Sequence, residues 1–120
     1  QSASVGVGVD AWCEYDNGII LGAPTVIGER GVPSETIGKR VASVINQHIT
    51  TPADAYTVDE FTADQIVSFL ALQSDSSEFR VPKITSHFST NLHILEQFTG
   101  KSAKITQLVS GYEVKFPIVS

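Results

Sequence analysis

A polar cluster around one histidine is the part of the sequence best suited to nucleophilic chemistry. It covers residues 85–91 (TSHFSTN), where the pattern changes from a short strand to a helix. Free backbone amides at a helix start attract anions, and their partial positive charge disfavours a protonated imidazole. His87 would therefore stay neutral, as a nitrogen nucleophile must. The commoner role of such a histidine is structural, as a capping or hydrogen-bonded side chain, and the residues alone leave both roles open.

A second candidate site lies in the opening turns of a predicted helix, at residues 61–65 (FTADQ). Phe61, Asp64 and Gln65 are three and four positions apart, so an aromatic ring, a carboxylate and an amide share one helix face. Such a face could stack a base and hydrogen-bond its edge or its ribose. The alternative is that Phe61 is a core residue and that the other two lie on a solvated face.

A third segment, residues 28–31 (GERG), lies between a strand and a helix and has some of the composition of a phosphate-binding loop. It lacks the lysine and the glycine spacing of a P-loop or a dinucleotide fingerprint. We therefore expect a structural turn whose glycines supply unusual backbone angles.

The remaining histidines and the cysteine predict no further chemistry. His48 ends an apolar stripe and His93 lies inside a helix, so both are expected to be structural. Cys13 is the single cysteine, which has no partner for a disulfide or a metal site and fits a reducing, cytoplasmic compartment. We predict no metal ligands in this chain.

The elements that must position these residues follow from periodicity and turn signals. Alternating residues predict paired strands over 4–16 and 18–28, joined at Asn17-Gly18, and helical spacing predicts a helix over 34–49. A capping box from Thr57 to Glu60 predicts a helix over 58–73, followed by a strand over 78–84. Ser89 or Ser86 is predicted to cap a third helix that ends at Gly100, and a hairpin covers 103–109 and 112–119.

The resulting order is β-β-α-α-β-α-β-β, which predicts an α+β fold with helices packed on one face of a mixed sheet. With 120 residues, the chain is expected to form one domain, 1–120. It starts at Gln1 and enters an alternating stretch almost at once, which suggests a fragment of a longer protein. We find no apolar run near the ~20 residues that cross a bilayer, so we expect no membrane association.

The charge is unevenly distributed. The net charge of −5 disfavours a free-standing nucleic-acid binder. Residues 1–77 carry three basic and ten acidic side chains, whereas residues 78–104 carry four basic and two acidic ones. We therefore expect any bound phosphate near the second segment, whose basic residues are Arg80, Lys83, Lys101 and Lys104.

The paired motifs resemble the end of RNA 3'-terminal phosphate cyclases. Ala63-Asp64-Gln65 is followed about twenty residues later by residues 84–91 (ITSHFSTN), and the order, spacing and flanks agree with that family. Residues 28–31 before a helix, 69–72 (FLAL) after the glutamine and 78–79 (EF) before the histidine are also similar. The resemblance covers most of residues 20–100.

The resemblance implies a fold and an activity. The fold would be a repeat of β-α-β-α-β-β units, as in the enolpyruvyl transferases and the carboxy-terminal domain of translation initiation factor three, and the chain would be the carboxy-terminal part of the catalytic domain. The activity would be the ATP-dependent conversion of an RNA 3'-terminal phosphate into a 2',3'-cyclic phosphate through a histidine–AMP intermediate.

The resemblance also assigns roles to residues. His87 would carry the AMP, and Phe61, Thr62, Ala63, Asp64 and Gln65 would contact ATP. Phe61 replaces a tyrosine and Thr62 replaces a leucine of the family pattern. A divalent cation, Mg or Mn, would be held mainly by residues outside this chain. The implied partners are RNA 3'-phosphate ends and the amino-terminal remainder of the protein, with a homodimer also allowed.

Two other functions compete with cyclisation. A catalytically inactive, cyclase-like scaffold of ribosome biogenesis would lack the nucleophile, so His87 weighs against it. A plain RNA-binding α/β module would need a basic face, which the net charge of −5 makes hard to build.

Overall fold

A computed structural model of the chain describes residues 6–52 and 55–117. The chain divides into two compact units, an amino-terminal unit up to residue 53 and a carboxy-terminal unit from residue 54. Residues 4 and 5 of the first predicted strand and residues 118 and 119 of the last one lie outside the described residues. Whether the two units belong to one domain stays a prediction.

The amino-terminal unit contains four short strands and one helix. Strand β1 is Gly8–Val9, β2 is Trp12–Glu14, β3 is Ile20–Gly22 and β4 is Val26–Ile27. The antiparallel pairs are β1 with β4 and β2 with β3. The two predicted long strands are therefore each divided in two, and the predicted hairpin at Asn17-Gly18 is confirmed because the Gly18 N–H bonds the Tyr15 carbonyl at 2.9 Å.

Helix α1 is Ser34–Ile49, as the helical spacing predicted. Its inner face buries Ile37, Val41 and His48. The His48 ring Nε2 lies 3.0 Å from the Gly22 carbonyl, and the His48 carbonyl accepts a hydrogen bond from the Tyr15 hydroxyl at 2.6 Å. His48 is thus a buried residue that ties the helix to its hairpin.

The loop of residues 28–31 has the structural role that its composition favoured. A Cβ on Gly28 would lie 2.3 Å from Cγ1 of Val7, so a larger residue would require the Val7 side chain to shift. The Gly28 N–H also donates to the Val7 carbonyl at 2.7 Å.

The carboxy-terminal unit contains two helices and three strands. Helix α2 is Glu60–Leu72, β5 is Ser77–Val81, α3 is Ser86–Thr99, β6 is Lys104–Gln107 and β7 is Tyr112–Phe116. The strand order is β5-β7-β6, with both pairs antiparallel. The α+β class is confirmed, but every strand pair among residues 6–52 and 55–117 is antiparallel, so this sheet is not mixed. The reason is that β7 lies between β5 and β6 and runs antiparallel to both, so β5 and β6 do not pair with each other.

One hydrophobic core holds this unit together, and it is built from both helices and two strands. Its buried members are Ala63, Val67, Ala71, Phe79, Val81, Phe88, Val114 and Phe116. Because neighbouring strand residues point to opposite faces, these buried strand residues place both helices on the same face of the sheet. The helices-on-one-face prediction is therefore correct for this unit.

The capping-box prediction for α2 is wrong. Asp59, not Thr57, is the N-cap, and its carboxylate accepts the Thr62 N–H at 2.7 Å. Thr57 instead bonds β5, where its hydroxyl accepts the Arg80 N–H at 2.8 Å and its own N–H donates to the Arg80 carbonyl at 2.9 Å. The threonine is used to hold an extended segment against a strand, so the helix starts two residues later. No helix among the described residues has the length and apolar character needed to cross a bilayer.

Candidate active site

The first turn of α3 is held by a threonine cap. Thr85 is the N-cap, and its hydroxyl oxygen accepts the Phe88 N–H at 3.0 Å, while its carbonyl accepts the Ser89 N–H at 3.0 Å. The prediction that Ser86 or Ser89 caps this helix is therefore wrong. Threonine caps by the same chemistry as serine, and here Thr85 follows β5 after three loop residues, at the point where the helix begins.

A buried aromatic ring fixes the same turn against the sheet. The Phe88 side chain is only 1% exposed and meets the Phe79 ring edge-to-face, with the ring centroids 6.0 Å apart. The backbone next to His87 is therefore fixed both by the Thr85 cap and by packing onto β5.

His87 itself is exposed in this turn, as the second helical residue. Its ring makes no hydrogen bond or ion pair within residues 6–52 and 55–117. The first turn of α3 holds no acidic residue of its own, and the nearby carboxylate is that of Asp64 on α2, bonded to the Thr85 cap. The arrangement places an exposed imidazole at a helix start, where free backbone amides can bind phosphate oxygens.

A hydrogen bond joins the two predicted site segments. The Thr85 hydroxyl donates to Asp64 Oδ1 at 2.6 Å, across 21 positions of sequence. At the opposite ends of the helices, the Lys101 ammonium donates to the Gln73 carbonyl. Helices α2 and α3 therefore run side by side in the same direction, and their N-terminal ends lie together.

The five residues predicted to contact ATP have different surroundings. Gln65 is exposed, and Phe61 and Asp64 are partly buried. The Thr62 hydroxyl donates to Asp59 Oδ2 at 3.0 Å, and Ala63 is 1% exposed within the core. Phe61, Thr62, Asp64 and Gln65 thus keep accessible surface, although the Thr62 hydroxyl is bonded to Asp59, whereas Ala63 lies in the core.

The basic residues that lie near His87 in sequence are not gathered around it in space. Arg80 points away from the helices, and Lys104 and Lys115 lie directly opposite each other on that same outer face. Lys101 is at the far end of α3, at Gln73. Only Lys83, exposed between β5 and α3, lies in the loop that leads to His87.

On the face of the sheet that points away from the helices, acidic side chains lie beside basic ones and offset part of their charge. The Lys115 ammonium lies 3.1 Å from Glu113 and 3.5 Å from Glu78. A hydrogen bond from Lys115 lowers the pKa of the Glu113 carboxyl, and the same contact raises the pKa of Lys115. Among the residues that the structure describes, no group of three or more His, Cys, Asp or Glu side chains could hold a metal ion.

The role of Thr85 was not predicted from the sequence, although the residue was part of the polar cluster. The available signal was its spacing: a threonine three positions before a buried phenylalanine, at the end of a strand, fits a helix cap. The bond to Asp64 had no such signal because it joins two separate helices.

Comparison with known proteins gives one consistent family. Residues 13–105 match the family model described as RNA 3'-terminal phosphate cyclase. The chain is 36% identical to the RNA 3'-terminal phosphate cyclase of Thermococcus onnurineus over 101 residues, which is 84% of this chain and 28% of that protein. It is 38% identical to the cyclase of Caldivirga maquilingensis over 93 residues, 78% of this chain and 25% of that protein. It is 32% identical to the cyclase of Methanosarcina barkeri over 114 residues, 95% and 31% of the two chains. The chain therefore spans between a quarter and a third of the length of these curated relatives.

Proposed function

This chain belongs to the RNA 3'-terminal phosphate cyclase family, and from that membership we propose that it supplies the nucleophile for ATP-dependent cyclisation of RNA 3'-phosphate ends. The proposed product is a 2',3'-cyclic phosphate. The family name of its relatives supports the substrate and the product, and the position of His87 supports a covalent histidine–AMP intermediate.

The reaction has three balanced steps. A ring nitrogen of neutral His87 attacks the α-phosphorus of ATP, a P–N bond forms and pyrophosphate leaves. An oxygen of the RNA 3'-phosphate then attacks the same phosphorus, which breaks the P–N bond and leaves AMP on the RNA end. Finally the neighbouring 2'-hydroxyl attacks the RNA phosphorus, its proton passes to solvent, and AMP leaves as the ring closes. A covalent intermediate divides one difficult displacement into easier ones.

The single observation that carries this proposal is the setting of His87 in the first turn of α3. Its ring is exposed to an incoming ligand while its backbone is fixed between the Thr85 cap and the buried Phe88. The free backbone amides at this helix start favour the negative charge of the α-phosphate. A nucleophile in this setting is available and needs little reorganisation before it attacks.

The nucleotide would lie along the start of α2. Phe61 would stack on the base, and Asp64 and Gln65 would hydrogen-bond the ribose or the phosphate. Thr62 and Ala63 would act through the backbone they hold in place, because the hydroxyl of the first is bound to Asp59 and the side chain of the second is in the core.

The cations that a transferring phosphate needs would come from outside this chain. Electrostatic preorganisation is usually the largest single catalytic term, and the basic residues of this unit lie mostly on the outer face of the sheet, away from the helices. The proposed additional partners are therefore the amino-terminal remainder of the protein and a Mg or Mn ion that it holds. A cytoplasmic location and a homodimer stay predictions.

Labelling with α-phosphate-labelled ATP tests the proposal. The complete protein should form an adduct with AMP that is labile in acid and stable in alkali, as expected of a phosphoramidate. Peptide mapping by mass spectrometry should place the AMP on His87. An adduct on His48, on His93 or on a lysine would refute the assignment.

A further inference from the structure

Three atoms link the candidate nucleotide-binding helix to the turn that carries His87. Asp64 Oδ1 accepts the Thr85 hydroxyl proton at 2.6 Å, and the oxygen of that hydroxyl accepts the Phe88 N–H at 3.0 Å. The two bonds form a short chain that runs from α2 into the first turn of α3.

The direction of this chain follows from the chemistry of its members. A threonine hydroxyl has one proton and two lone pairs, and an ionised carboxylate can only accept. Because the hydroxyl donates its proton to Asp64, its oxygen is left to act as an acceptor, and it accepts the Phe88 N–H. A hydrogen bond to an ionised acceptor is stronger than a neutral one, and linked hydrogen bonds polarise each other. Asp64 therefore strengthens and orients the cap of α3.

The capped turn encloses His87. The bond from Phe88 to Thr85 closes a ring of backbone that contains Ser86 and His87, and the Phe88 ring is buried below it. Loss of the Thr85 hydroxyl would consequently affect the backbone of His87 more directly than it would affect any other candidate site residue.

We propose that Asp64 is a positioning residue for His87 and acts on it through Thr85. This inference rests on the proposed function, since it assigns a second role to a residue expected to contact the nucleotide. Asp64 Oδ2 accepts no hydrogen bond from the described residues, so it can bind a ligand donor while Oδ1 holds Thr85. One carboxylate would thus set the position of the nucleotide bound at α2 relative to His87 on α3.

The test is a double-mutant cycle in the complete protein with Asp64→Ala, Thr85→Val and both together. Thr85→Val keeps the shape of the side chain and removes its hydroxyl, and Thr85→Ser keeps the hydroxyl as a rescue. Matched controls are Asp75→Ala and Thr106→Val, both at exposed positions of the same unit. The measurements are the rate of His87 adenylylation at saturating ATP, the ATP dissociation constant, and hydrogen exchange at the Phe88 amide without ATP.

Thr85→Val should slow adenylylation by roughly tenfold without a change in ATP affinity, on the scale of one charge-assisted hydrogen bond. Asp64→Ala should slow adenylylation similarly and also weaken ATP binding, and the double variant should be no slower than Asp64→Ala alone. Exchange at Phe88 should accelerate in these three variants, and Thr85→Ser and the controls should behave like the wild type.

Wild-type labelling rates in Thr85→Val, or slowing that multiplies in the double variant, would overturn the inference. If the wild-type protein were never labelled on His87, the proposed function would fail. The exchange measurement would still decide the structural part, because unchanged exchange at Phe88 in Thr85→Val would show that the hydroxyl does not hold this turn.

Discussion

The Thr85 hydroxyl donates a 2.6 Å hydrogen bond to Asp64 Oδ1, and this bond brings together two sequence motifs that lie about twenty residues apart. Asp64 belongs to the segment expected to bind ATP, and Thr85 caps the helix that presents His87. The bond is short and one partner carries a charge, so it should hold the two helix starts together firmly.

His87→Asn should abolish AMP labelling of the complete protein and leave its thermal midpoint nearly unchanged. Asparagine lacks the ring nitrogen that attacks phosphorus, and the exposed side chain contributes little to packing. His93→Asn, also exposed on α3, is the matched control and should label normally. Normal labelling of His87→Asn would place the nucleophile elsewhere.

Gln65→Ala should weaken ATP use more than it weakens folding, since the side chain is exposed on α2. We expect a rise in the ATP dissociation constant of roughly tenfold, the scale of one or two hydrogen bonds. Gln97→Ala, exposed on α3, should change neither ATP binding nor stability. A thermal midpoint lowered by several degrees with unchanged ATP affinity would return Gln65 to a structural role.

Residues 1–120 by themselves should neither adenylylate His87 nor cyclise RNA ends at a useful rate. The reason is that the basic residues of the carboxy-terminal unit lie mostly away from His87, and a transferring phosphate needs positioned positive charge. Circular dichroism should first confirm that the isolated chain is folded. Adding the amino-terminal remainder in trans should restore labelling, whereas strong labelling of the folded chain alone with ATP and Mg²⁺ would show a self-contained site.

Asp59→Ala should lower the free energy of unfolding by about 1–2 kcal/mol, because it removes the N-cap of α2. Glu60→Ala should cost less than about 0.5 kcal/mol, since the capping box that would have used it does not form. Denaturant titration of both variants measures the difference. Equal losses of unfolding free energy in the two variants would instead support the predicted capping box between Thr57 and Glu60.

The helices could be predicted closely from sequence because their signals are local. The spacing of Ile37, Val41 and His48 predicted α1 with the bounds that the structure shows, and Gly100 ends α3 in a left-handed conformation at φ 70°. The helix starts were less accurate. Thr57 and Asp59 can both cap α2, and Asp59 does so while the Thr57 hydroxyl is bonded to β5. Thr85 and Ser86 can both cap α3, and Thr85 does so.

The strands show the same limit. The hairpin predicted over 103–109 and 112–119 is found as the antiparallel pair of β6 and β7. The pairing of β5 with β7 had no such local signal, because these strands are not consecutive in the chain. The two long strands expected before α1 are each interrupted, and their pairing became visible only as β1 with β4 and β2 with β3.

The sequence by itself determined the α+β class, the positions of the helices and the family to which the paired motifs around Asp64 and His87 point. These depend on residue types at fixed short spacings, which local propensity and motif chemistry can specify. Only the tertiary structure decided that Thr85 joins Asp64 to the turn of His87, that Ala63 lies in the core, and that the nearby basic residues mostly lie elsewhere. Such relationships arise from packing helices on one face of a sheet, and packing brings together or separates residues regardless of their distance along the chain.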